Sequence, residues 1–553
     1  MKKGSKFTYS KLLVLLWVSA GSSTLESSTP VVVTQQGRLR GLRSIMGQNR
    51  YYSIPYATAE RFQLPKDPPS WEGIYDAFNP VRSCLQNLSV FVIGYEDCLV
   101  LDVYTPESIQ SSHKLPVMVF IHGGAYYYGG KTLYNPEFIV TKNVIVVSVN
   151  YRIGVHGFLC LNGISNLGLR DQVAAMKWVQ KNIAAFGGDP DNVTLCGQSA
   201  GAAAVSMHFL SKESKGLFHK AILMSGNALV PWAFNLESFT PALEDARKLG
   251  NACTEEDVYN TFLNAPIDKL VRATVGTSVN PRYFKYTPCV DTNSTYPFFT
   301  DKPYNIMKSG IFNKVPTMMG NTDSEGLTFY GLADRDTFEQ LDRNFVERIS
   351  STFSWCSDKD RRIIGKMIRS YYFGRKPITP KSIRGFLNYY SDTIAYGTNY
   401  AYSKLLTRLS DQPVYNYYFS YTGDRSYLNI LSGLQMKGAA HGDELFYLFK
   451  PVGLPLLLSN ADKLIVDRIT TLFSNFMKFG NPTPKRTKLL PIIWPTAAVN
   501  ASNTLRLDRK LSIIEDPQDN FLLRLLCEYG ESGHVPCDSA EKCRRRKRKN
   551  NQC

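Results

Sequence analysis

Residues 193–205 read VTLCGQSAGAAAV, and this short stretch decides the fold of the chain. The apolar and β-branched side chains of residues 193–196 are typical of a buried strand, and the small side chains from Ala200 onward are typical of a tightly packed helix. Ser199 stands between them in a G-x-S-x-G pattern. A sharp strand-to-helix turn exposes such a serine in a strained conformation, and it requires glycine where a Cβ would clash with neighbouring backbone. We therefore predict that Ser199 is a nucleophile at the end of a strand.

Strand-like and helical runs alternate over most of the chain. We predict strands at residues 99–104, 117–121, 144–149, 193–196, 221–224, 315–319 and 414–419, and helices at 172–186, from 200 onward and at 462–479. This alternation is typical of an α/β fold with a mainly parallel sheet covered by helices on both faces. Residues 232–314 and 329–412 have the helical, irregular pattern of insertions over one face. Because no Pro- or Ser-rich linker interrupts the pattern, we expect one domain over residues 24–530.

A serine nucleophile needs a base, and the chain contains 7 histidines. In enzymes with this serine turn, the partners follow in the order serine, acid, histidine. Three histidines precede Ser199, and two others follow it too closely to leave room for an acid-bearing strand. His534 lies in the cysteine-rich C-terminal tail, whereas His441 lies in GAAHGDELFYLF, where small residues permit a tight loop. We predict that His441 is the base.

The acid is expected in a strand-end loop between Ser199 and His441. Residues 314–320 (KVPTMMG) are predicted as a strand, and the loop that follows reads NTDSEG. This loop offers both Asp323 and Glu325. Residue order and periodicity do not choose between them.

A second strand end carries candidate hydrogen-bond donors. The strand at residues 117–121 ends in His122-Gly123-Gly124-Ala125, a turn that presents backbone N–H groups. A tetrahedral oxyanion needs such donors, and the loss of one typically lowers the rate by about 10²–10³. We predict that Gly124, Ala125 and Ala200, the residue after the nucleophile, supply them. The motifs imply no metal and no cofactor.

The N-terminus has the pattern of a secretory signal peptide. Several lysines precede the apolar stretch 12–20, and small residues follow at 21–23. We predict that residues 1–23 are a signal peptide and that the mature protein is secreted and soluble. The apolar stretch is too short to span a bilayer, and no other run of 18 or more apolar residues occurs.

The net charge of +17 first suggests a nucleic-acid partner, with 64 Lys and Arg against 47 Asp and Glu. Much of the excess lies in one run at the C-terminus, Lys542 and residues 544–549. The body of the chain contains no nucleic-acid-binding motif, so we expect no nucleic-acid partner. We assign residues 531–553 to a basic, cysteine-containing tail. The tail could contact anionic glycans or a membrane surface, be removed at the basic run 545–548, or simply be solvated.

Eleven cysteines suit an oxidising compartment. Cys196 lies in an apolar run, which favours a buried free thiol over a disulfide. The connectivity of the cysteines near the C-terminus cannot be read from the sequence; these are Cys527, Cys537, Cys543 and Cys553. Three candidate glycosylation sites head N-x-S/T sequons: Asn87, Asn293 and Asn500.

From about residue 31 to residue 526, the chain resembles the type-B carboxylesterase and cholinesterase-like family of α/β-hydrolases. The motifs that carry the resemblance are YEDCLVLDVYTP (95–106), FIHGGAYYYGG (120–130), VNYRIGVHGFL (149–159), the long segment 167–201, GLFHKAILMSG (216–226) and GAAHGDELFYLF (438–449). The pattern is most similar to insect carboxylesterases, including juvenile-hormone esterases and antennal odorant-degrading esterases.

The resemblance adds site residues that the bare sequence leaves open. It implies that Glu325 is the triad acid, because the family places Glu directly before a glycine, here Gly326. It also implies a disulfide between Cys84 and Cys98, and ion pairs Arg61–Glu96 and Arg152–Asp171. Trp232 matches an acyl-pocket position, although ordinary core packing explains a tryptophan equally well. Trp232 and the aromatic run that starts at Tyr126 predict an apolar substrate pocket.

Two departures from the family pattern concern the expected substrates and the expected disulfides. Residues 85–97 contain no tryptophan, which makes choline esters unsuitable substrates. Cys253 matches one half of a second family disulfide, but Phe262 occupies its partner's position, and Cys289 is the nearest substitute. The implied function is a secreted serine carboxylesterase that cleaves small hydrophobic esters, such as odorant, pheromone, hormone or xenobiotic esters. The alternative is a catalytically silent adhesion or binding protein of the same family.

Overall fold

The computed structural model describes residues 27–44, 47–88, 91–107, 114–161, 163–235, 238–275, 284–292, 294–348, 353, 356–426, 436–451, 458–515 and 521–529. The expected signal peptide, the basic tail and Asn293 lie outside these residues. The strands are β1 Ser27–Ser28, β2 Val32–Thr34, β3 Gly37–Arg40, β4 Leu42–Ser44, β5 Gln48–Pro55, β6 Ile74–Asp76, β7 Gln86–Leu88, β8 Phe91–Ile93, β9 Val100–Pro106, β10 Leu115–Ile121, β11 Tyr134–Asn135, β12 Ile145–Val149, β13 Gly188–Gln198, β14 Lys220–Met224, β15 Thr317–Thr322, β16 Val414–Phe419, β17 Lys450–Pro451, β18 Thr504–Leu507 and β19 Ser512–Ile514.

The α-helices are α1 Glu137–Val140, α2 Gly154–Phe158, α3 Leu167–Asn182, α4 Ala200–Leu210, α5 Phe239–Ala246, α6 Glu255–Asn264, α7 Ile267–Ala273, α8 Pro303–Lys308, α9 Gly326–Leu332, α10 Arg335–Arg343, α11 Asp358–Phe373, α12 Ile383–Ile394, α13 Tyr396–Leu409, α14 Leu445–Leu448, α15 Asn460–Phe479 and α16 Phe521–Tyr529. Short 3₁₀ turns lie at Lys131–Leu133, Ile183–Phe186, Lys212–Ser214 and Phe345–Arg348. None of the described helices combines the length and apolar character that a membrane crossing requires.

A 12-stranded sheet forms the centre of the protein, in the order β1-β4-β5-β9-β12-β10-β13-β14-β15-β16-β18-β19. The strands from β12 to β18 pair in parallel, and antiparallel strands extend both edges. The mainly parallel α/β sheet is as predicted. The sequence pattern did not predict β1–β8, which have short or irregularly alternating apolar runs, nor β11 and β17–β19.

The strand order brings the ends of β10 and β13 together. From β10 the chain runs to β12 on one side, and it then returns to place β13 on the other side. The carboxyl ends of adjacent parallel strands open a crevice where the order changes direction in this way. Ile121 at the end of β10 pairs with Gly197 near the end of β13. The loop after residue 121 therefore lies beside Ser199.

The core lies on both faces of this sheet. Along β10, Val117, Val119 and Ile121 belong to one buried cluster, and Met118 and Phe120 belong to another. This alternation is the two-residue period of a strand buried on both faces, so both faces need a helical cover. The predicted insertions are helical: α5–α8 lie within residues 232–314, and α10–α13 lie within 329–412. A third buried cluster forms among helices of the second insertion and α16.

Disulfides and ion pairs brace the loops around the sheet. Cys84 and Cys98 form a disulfide, as predicted. The suggested partner for Cys253 is wrong, because Cys289 is bonded to Cys160 and Cys253 takes part in a different disulfide. Within the described part of the chain, Cys196 is the free thiol, and it is buried.

The two predicted ion pairs are present. Arg61 Nε lies 2.6 Å from Glu96 Oε1, and Arg152 lies 2.7 Å from Asp171 Oδ1. Arg152 and Asp171 are both almost fully buried. Since breaking a buried pair leaves an uncompensated charge, this second pair fixes the loop after β12 against α3.

Candidate active site

Ser199 occupies a strained turn between β13 and α4. Its φ of 56° and ψ of −124° lie outside the regions that most residues adopt. Its side chain is half-buried, and its Oγ makes no hydrogen bond with any residue that the structure describes. The half-buried side chain lies directly after β13, beside the crevice, where a G-x-S-x-G turn is expected to present its serine.

Glycines around this turn allow three backbone segments to approach closely. A Cβ on Gly197 would clash with Gly201, and one on Gly201 would clash with the carbonyl oxygen of Ile121. A Cβ on Gly226, which follows β14, would clash with the carbonyl oxygen of Ser199. Gly226 was not among the site residues predicted from the sequence; the available signal was its position two residues after the predicted strand at 221–224.

The HGGA loop after β10 lies against the serine. A Cβ on Gly123 would lie 2.6 Å from the Gln198 carbonyl oxygen and 3.1 Å from Ser199 Cβ. Gly124 and Ala125 both have positive φ, at 107° and 56°. Their N–H groups have no acceptor in the described chain. Consecutive residues in such conformations form a concave array of backbone donors that suits an anion.

His122 holds this loop in place. Its ring stacks on Tyr151 with centroids 4.4 Å apart, and its Nδ1 lies 2.8 Å from the carbonyl oxygen of Gly123. Burial lowers the pKa of His122 to about 4. The ring is therefore neutral at physiological pH and donates its Nδ1 hydrogen to the loop.

Glu325 and His441 meet at the same edge of the sheet. His441 Nδ1 hydrogen-bonds Glu325 Oε2, and the Glu325 side chain is fully buried. Ser225 Oγ donates to Glu325 Oε1 at 2.7 Å, and the Thr322 N–H donates to the same oxygen at 2.9 Å. These contacts fix the carboxylate and orient the ring. Ser225, which also has a positive φ, was not identified from the sequence.

Asp323, the other candidate acid, faces a different group. Its Oδ1 accepts the N–H of Ala439 at 2.6 Å, and burial raises its pKa. Asp323 thus ties the β15 loop to the segment that carries His441. The structure brings Glu325, and not Asp323, to the imidazole.

Two further side chains border His441 and Glu325. Gln198 Nε2 lies 3.1 Å from His441 Nε2. Glu444 is fully buried, and its Oε1 accepts from Tyr417 Oη at 3.4 Å. Burial, followed by the nearby charge of Glu325, raises the pKa of Glu444 well above its usual range. Neither Gln198 nor Glu444 was among the site residues predicted from the sequence.

The predicted pocket residues differ in their surroundings. Trp232 is buried, donates its Nε1 hydrogen to the carbonyl oxygen of Ile394 at 2.9 Å, and packs edge-on against Phe284. Tyr126 is also buried, against Phe158 and with its hydroxyl 4.0 Å from Met207 Sδ. Tyr126 and Trp232 both belong to the same buried cluster, and their assignment to a substrate pocket stays a prediction. The next two residues of the aromatic run border a small cavity.

A serine at a strained turn, an open array of N–H donors and a histidine paired with a buried glutamate lie together at one sheet edge. The model of the carboxylesterase family matches residues 28–522. The chain belongs to this family. With its mainly parallel sheet, this carboxylesterase has the α/β-hydrolase fold, and it is a carboxylic-ester hydrolase.

Insect esterases are among the relatives of this carboxylesterase. Juvenile hormone esterase from Tribolium castaneum is 32% identical over 528 residues, which cover 87% of this chain and 89% of that protein. Esterase FE4 from Myzus persicae is 32% identical over 529 residues, which cover 90% and 92%. The crystal structure of juvenile hormone esterase from Manduca sexta, with OTFP covalently attached, matches with a TM-score of 0.79 at 28% identity. The match covers 88% of this chain and 96% of that chain.

Proposed function

We propose that Ser199, His441 and Glu325 are the catalytic triad with which this protein hydrolyses esters. The observation that carries the proposal is the hydrogen bond between His441 Nδ1 and the buried Glu325 carboxylate, at the sheet edge where the half-buried Ser199 side chain lies. This bond selects the tautomer with its proton on Nδ1. The Nε2 lone pair is then available to accept a proton.

The reaction has two steps, and His441 transfers the proton in each. Nε2 takes the proton of Ser199 while Oγ attacks the ester carbonyl, and the imidazolium then gives that proton to the departing alcohol. Water repeats the sequence on the acyl-enzyme and releases the acid. Glu325 stabilises the imidazolium in both steps. Hydrogen bonds of this kind are often long in the free enzyme and tighten with substrate.

We assign the oxyanion site to Gly124, Ala125 and Ala200. The first two N–H groups have no protein acceptor in the described chain. Ala200 is the first residue of α4, so its N–H lacks an acceptor within the helix and lies at the positive end of the helix dipole. Fixed donors of this kind stabilise negative charge that develops in the transition state.

Hydrophobic esters are the proposed substrate class. Trp232, Phe284 and Tyr127 form an aromatic group with ring centroids 6.1 and 6.2 Å apart. Trp232 and Tyr127 belong to the buried cluster that contains Ala200, and Phe284 packs against it. The centroid of the Phe329 ring lies 6.4 Å from that of the His441 ring. Aromatic walls with few polar groups favour apolar acyl chains. Because two of the similar proteins are named juvenile hormone esterases, juvenile-hormone esters belong in a test panel with acetate, butyrate and long-chain esters.

Purified protein and a chromogenic short-chain ester test the proposal. Ser199→Ala should lower kcat by about 10⁴-fold or more, because it removes the nucleophile. An organophosphonate should label the wild type at Ser199 and leave the variant unlabelled. Equal turnover by both proteins would instead favour the silent adhesion or binding protein.

We also propose that the protein is secreted and glycosylated. Two disulfides, Cys84–Cys98 and Cys160–Cys289, suit an oxidising compartment. Among the sequons, Asn500 is exposed, whereas Asn87 is half-buried with its Oδ1 inaccessible to solvent. Protein recovered from culture medium should begin after about residue 23, and glycosidase treatment should lower its mass. Retention of residues 1–23 would overturn the signal-peptide assignment.

The basic tail is proposed to contact anionic glycans or a membrane surface. Multiple Lys and Arg side chains close together bind polyanions in a salt-sensitive way. Truncation after Gly533 should abolish salt-sensitive retention on heparin and leave kcat unchanged. An intact C-terminal mass on the secreted protein would exclude removal of the tail by processing.

A further inference from the structure

The side chain of Gln86 forms two hydrogen bonds with the backbone of Gly129. Gln86 is the first residue of β7, and only 2% of it is exposed. Its Nε2 donates to the carbonyl oxygen of Gly129 at 2.8 Å, and its Oε1 accepts the N–H of Gly129 at 3.0 Å. Since one contact needs a donor and the other an acceptor, the amide is held in one orientation.

Gly129 lies near the end of the loop of residues 122–130, which we call the oxyanion loop because it carries two of the proposed oxyanion donors. Gly129 has a φ of 113°, and a Cβ on it would lie 2.6 Å from the carbonyl oxygen of Gly123. The preceding residue, Tyr128, donates its N–H to the carbonyl oxygen of Gly124 at 2.9 Å. The two ends of the oxyanion loop are therefore packed directly together, so a shift of Gly129 displaces the donors as well.

The segment that carries Gln86 is a firm support for this loop. Cys84, two residues before Gln86, is bonded to Cys98, and its carbonyl oxygen accepts a hydrogen bond from Gln86 Nε2 at 3.1 Å. Gln86 itself pairs with Ile93 on β8. A short segment closed by a disulfide thus supports the oxyanion loop from the side of Gly129.

We propose that Gln86 is a positioning residue for the oxyanion site. When Ser199 Oγ adds to the ester carbonyl, the electron pair of the C=O bond moves to the oxygen. N–H groups stabilise this charge best when they already point at it before the reaction. Gln86 acts through the backbone of Gly129 and takes no part in proton transfer. The inference rests on the proposed oxyanion site at Gly124 and Ala125.

Two buried glutamines allow a matched comparison. Methionine is about as long as glutamine and forms no strong hydrogen bond, so Gln86→Met releases Gly129 without opening a large cavity. Gln36→Met is the control. Gln36 is 6% exposed, its Nε2 donates to the carbonyl oxygen of Pro55 at 2.7 Å, and its Oε1 accepts from Trp178 Nε1. Within the described part of the chain, Gln36 has no hydrogen bond to the oxyanion loop.

Steady-state kinetics of the purified full chain with a chromogenic ester give the first test. Gln86→Met should lower kcat and kcat/KM by about 10- to 100-fold each, because a displaced donor costs less than a deleted one. Gln36→Met should keep both within about threefold, although it loses a comparable set of buried hydrogen bonds. Complete reaction with an organophosphonate counts the active sites, so misfolded protein does not lower the measured kcat.

A pair of ketone inhibitors separates the oxyanion from the bound substrate. Ser199 Oγ adds to the electron-poor carbonyl of a trifluoromethyl ketone, the proton passes to His441, and the former carbonyl oxygen becomes an anion. The methyl ketone with the same chain does not add, so its Ki measures ground-state binding. The wild type should bind the trifluoromethyl ketone at least about 100-fold more tightly than the methyl ketone. Gln86→Met should reduce this ratio by about 10- to 100-fold and leave the Ki of the methyl ketone within about threefold.

The outcomes distinguish this inference from the proposed function. A kcat of Gln86→Met within about threefold of the wild type would overturn the inference, as would equal losses of kcat in the two methionine variants. Equal weakening of both ketones would also overturn it, because Gln86 would then shape the substrate pocket. A wild type that binds both ketones equally would instead overturn the proposed serine and oxyanion site.

If Gln86→Met does not fold, a crystal structure of the wild-type trifluoromethyl ketone adduct decides. The N–H groups of Gly124 and Ala125 should face the anionic oxygen while the Gln86 amide keeps both bonds to Gly129. An adduct in which Gln86 is separated from Gly129 would contradict the proposal.

Discussion

The two halves of the candidate site are built in different ways. The nucleophile half, at the ends of β10 and β13, depends on backbone: Gly123, Gly197 and Gly201 let strands, loop and helix touch. The acid–base half, at the loops after β15 and β16, depends on side chains. Glu325 and His441 are 116 residues apart in the chain and meet through a hydrogen bond between their side chains.

This difference governs what a substitution does in each half. A methyl group added to the nucleophile half meets backbone atoms that cannot yield, so it disturbs folding and activity together. A changed polar atom in the acid–base half leaves the shape intact and alters proton transfer.

The largest expected effect lies in the acid–base half. Glu325→Gln keeps the side-chain shape but removes the charge that stabilises the His441 imidazolium, and kcat should fall by about 10³- to 10⁴-fold. Asp323→Asn is the matched control, because Asp323 accepts from the Ala439 N–H and not from the ring. It should retain kcat within about tenfold. Steady-state kinetics compare the two, and the reverse order of effects would assign the acid to Asp323.

The sequence predicted the nucleophile half more fully than the acid–base half, for a physical reason. The turn at Ser199 follows from short-range sterics, which leave a contiguous pattern of glycines and small residues. The choice between Asp323 and Glu325 depends on which carboxylate reaches a loop more than 100 residues away. Residue order does not encode that distance, and only the family resemblance chose Glu325.

Contacts between distant segments of the chain also account for features that were not predicted from the sequence. The Cys160–Cys289 disulfide joins residues 129 positions apart, and neither flanking segment has a distinctive pattern. The buried network at Glu325 recruits Ser225 from the end of β14, a residue that looks ordinary in the sequence. Strands with clear apolar runs, such as β10, β12 and β16, were predicted almost to their ends because burial on both faces leaves a continuous apolar run.

A second substitution tests the nucleophile half, and its expected effect on activity is smaller than that of Glu325→Gln. Gly201→Ala would place a Cβ against the carbonyl oxygen of Ile121, so the free energy of unfolding should fall by about 1–3 kcal/mol and turnover should fall with it. Gly130→Ala is the control, because the nearest atoms to its Cβ are 3.5 and 3.6 Å away and its φ of 165° is extended.

Denaturant unfolding and kcat, measured for both variants, decide this comparison. The control should unfold within about 0.5 kcal/mol of the wild type and keep its turnover. If both alanine variants lose equal stability, close backbone approach is not what distinguishes Gly201.

The smallest expected effect concerns Glu444, the buried carboxyl group next to Glu325. Glu325 accepts three hydrogen bonds, whereas Glu444 Oε2 has no partner in the described chain. Burial raises the pKa of Glu444 in the folded state well above its unfolded value. The folded protein therefore holds a proton that the unfolded chain releases, so this group favours folding at low pH and loses that contribution as pH rises above about 4.5.

Glu444→Gln replaces the protonated carboxyl group with a neutral group of the same shape, and it should remove this pH dependence. The apparent Tm of the variant should match that of the wild type within about 2 °C at pH 5 and should exceed the wild-type value at pH 8, because only the wild type then opposes its own ionisation. Thermal scans at a fixed rate at both pH values measure the difference, and kcat at pH 7 should change by less than about threefold. A variant that is less stable at pH 8 than at pH 5, relative to the wild type, would mean that Glu444 is ionised and stabilising in the folded protein. The acid–base half would then contain two charged carboxylates, Glu325 and Glu444. Negative charge alone would not then explain why His441 pairs with Glu325.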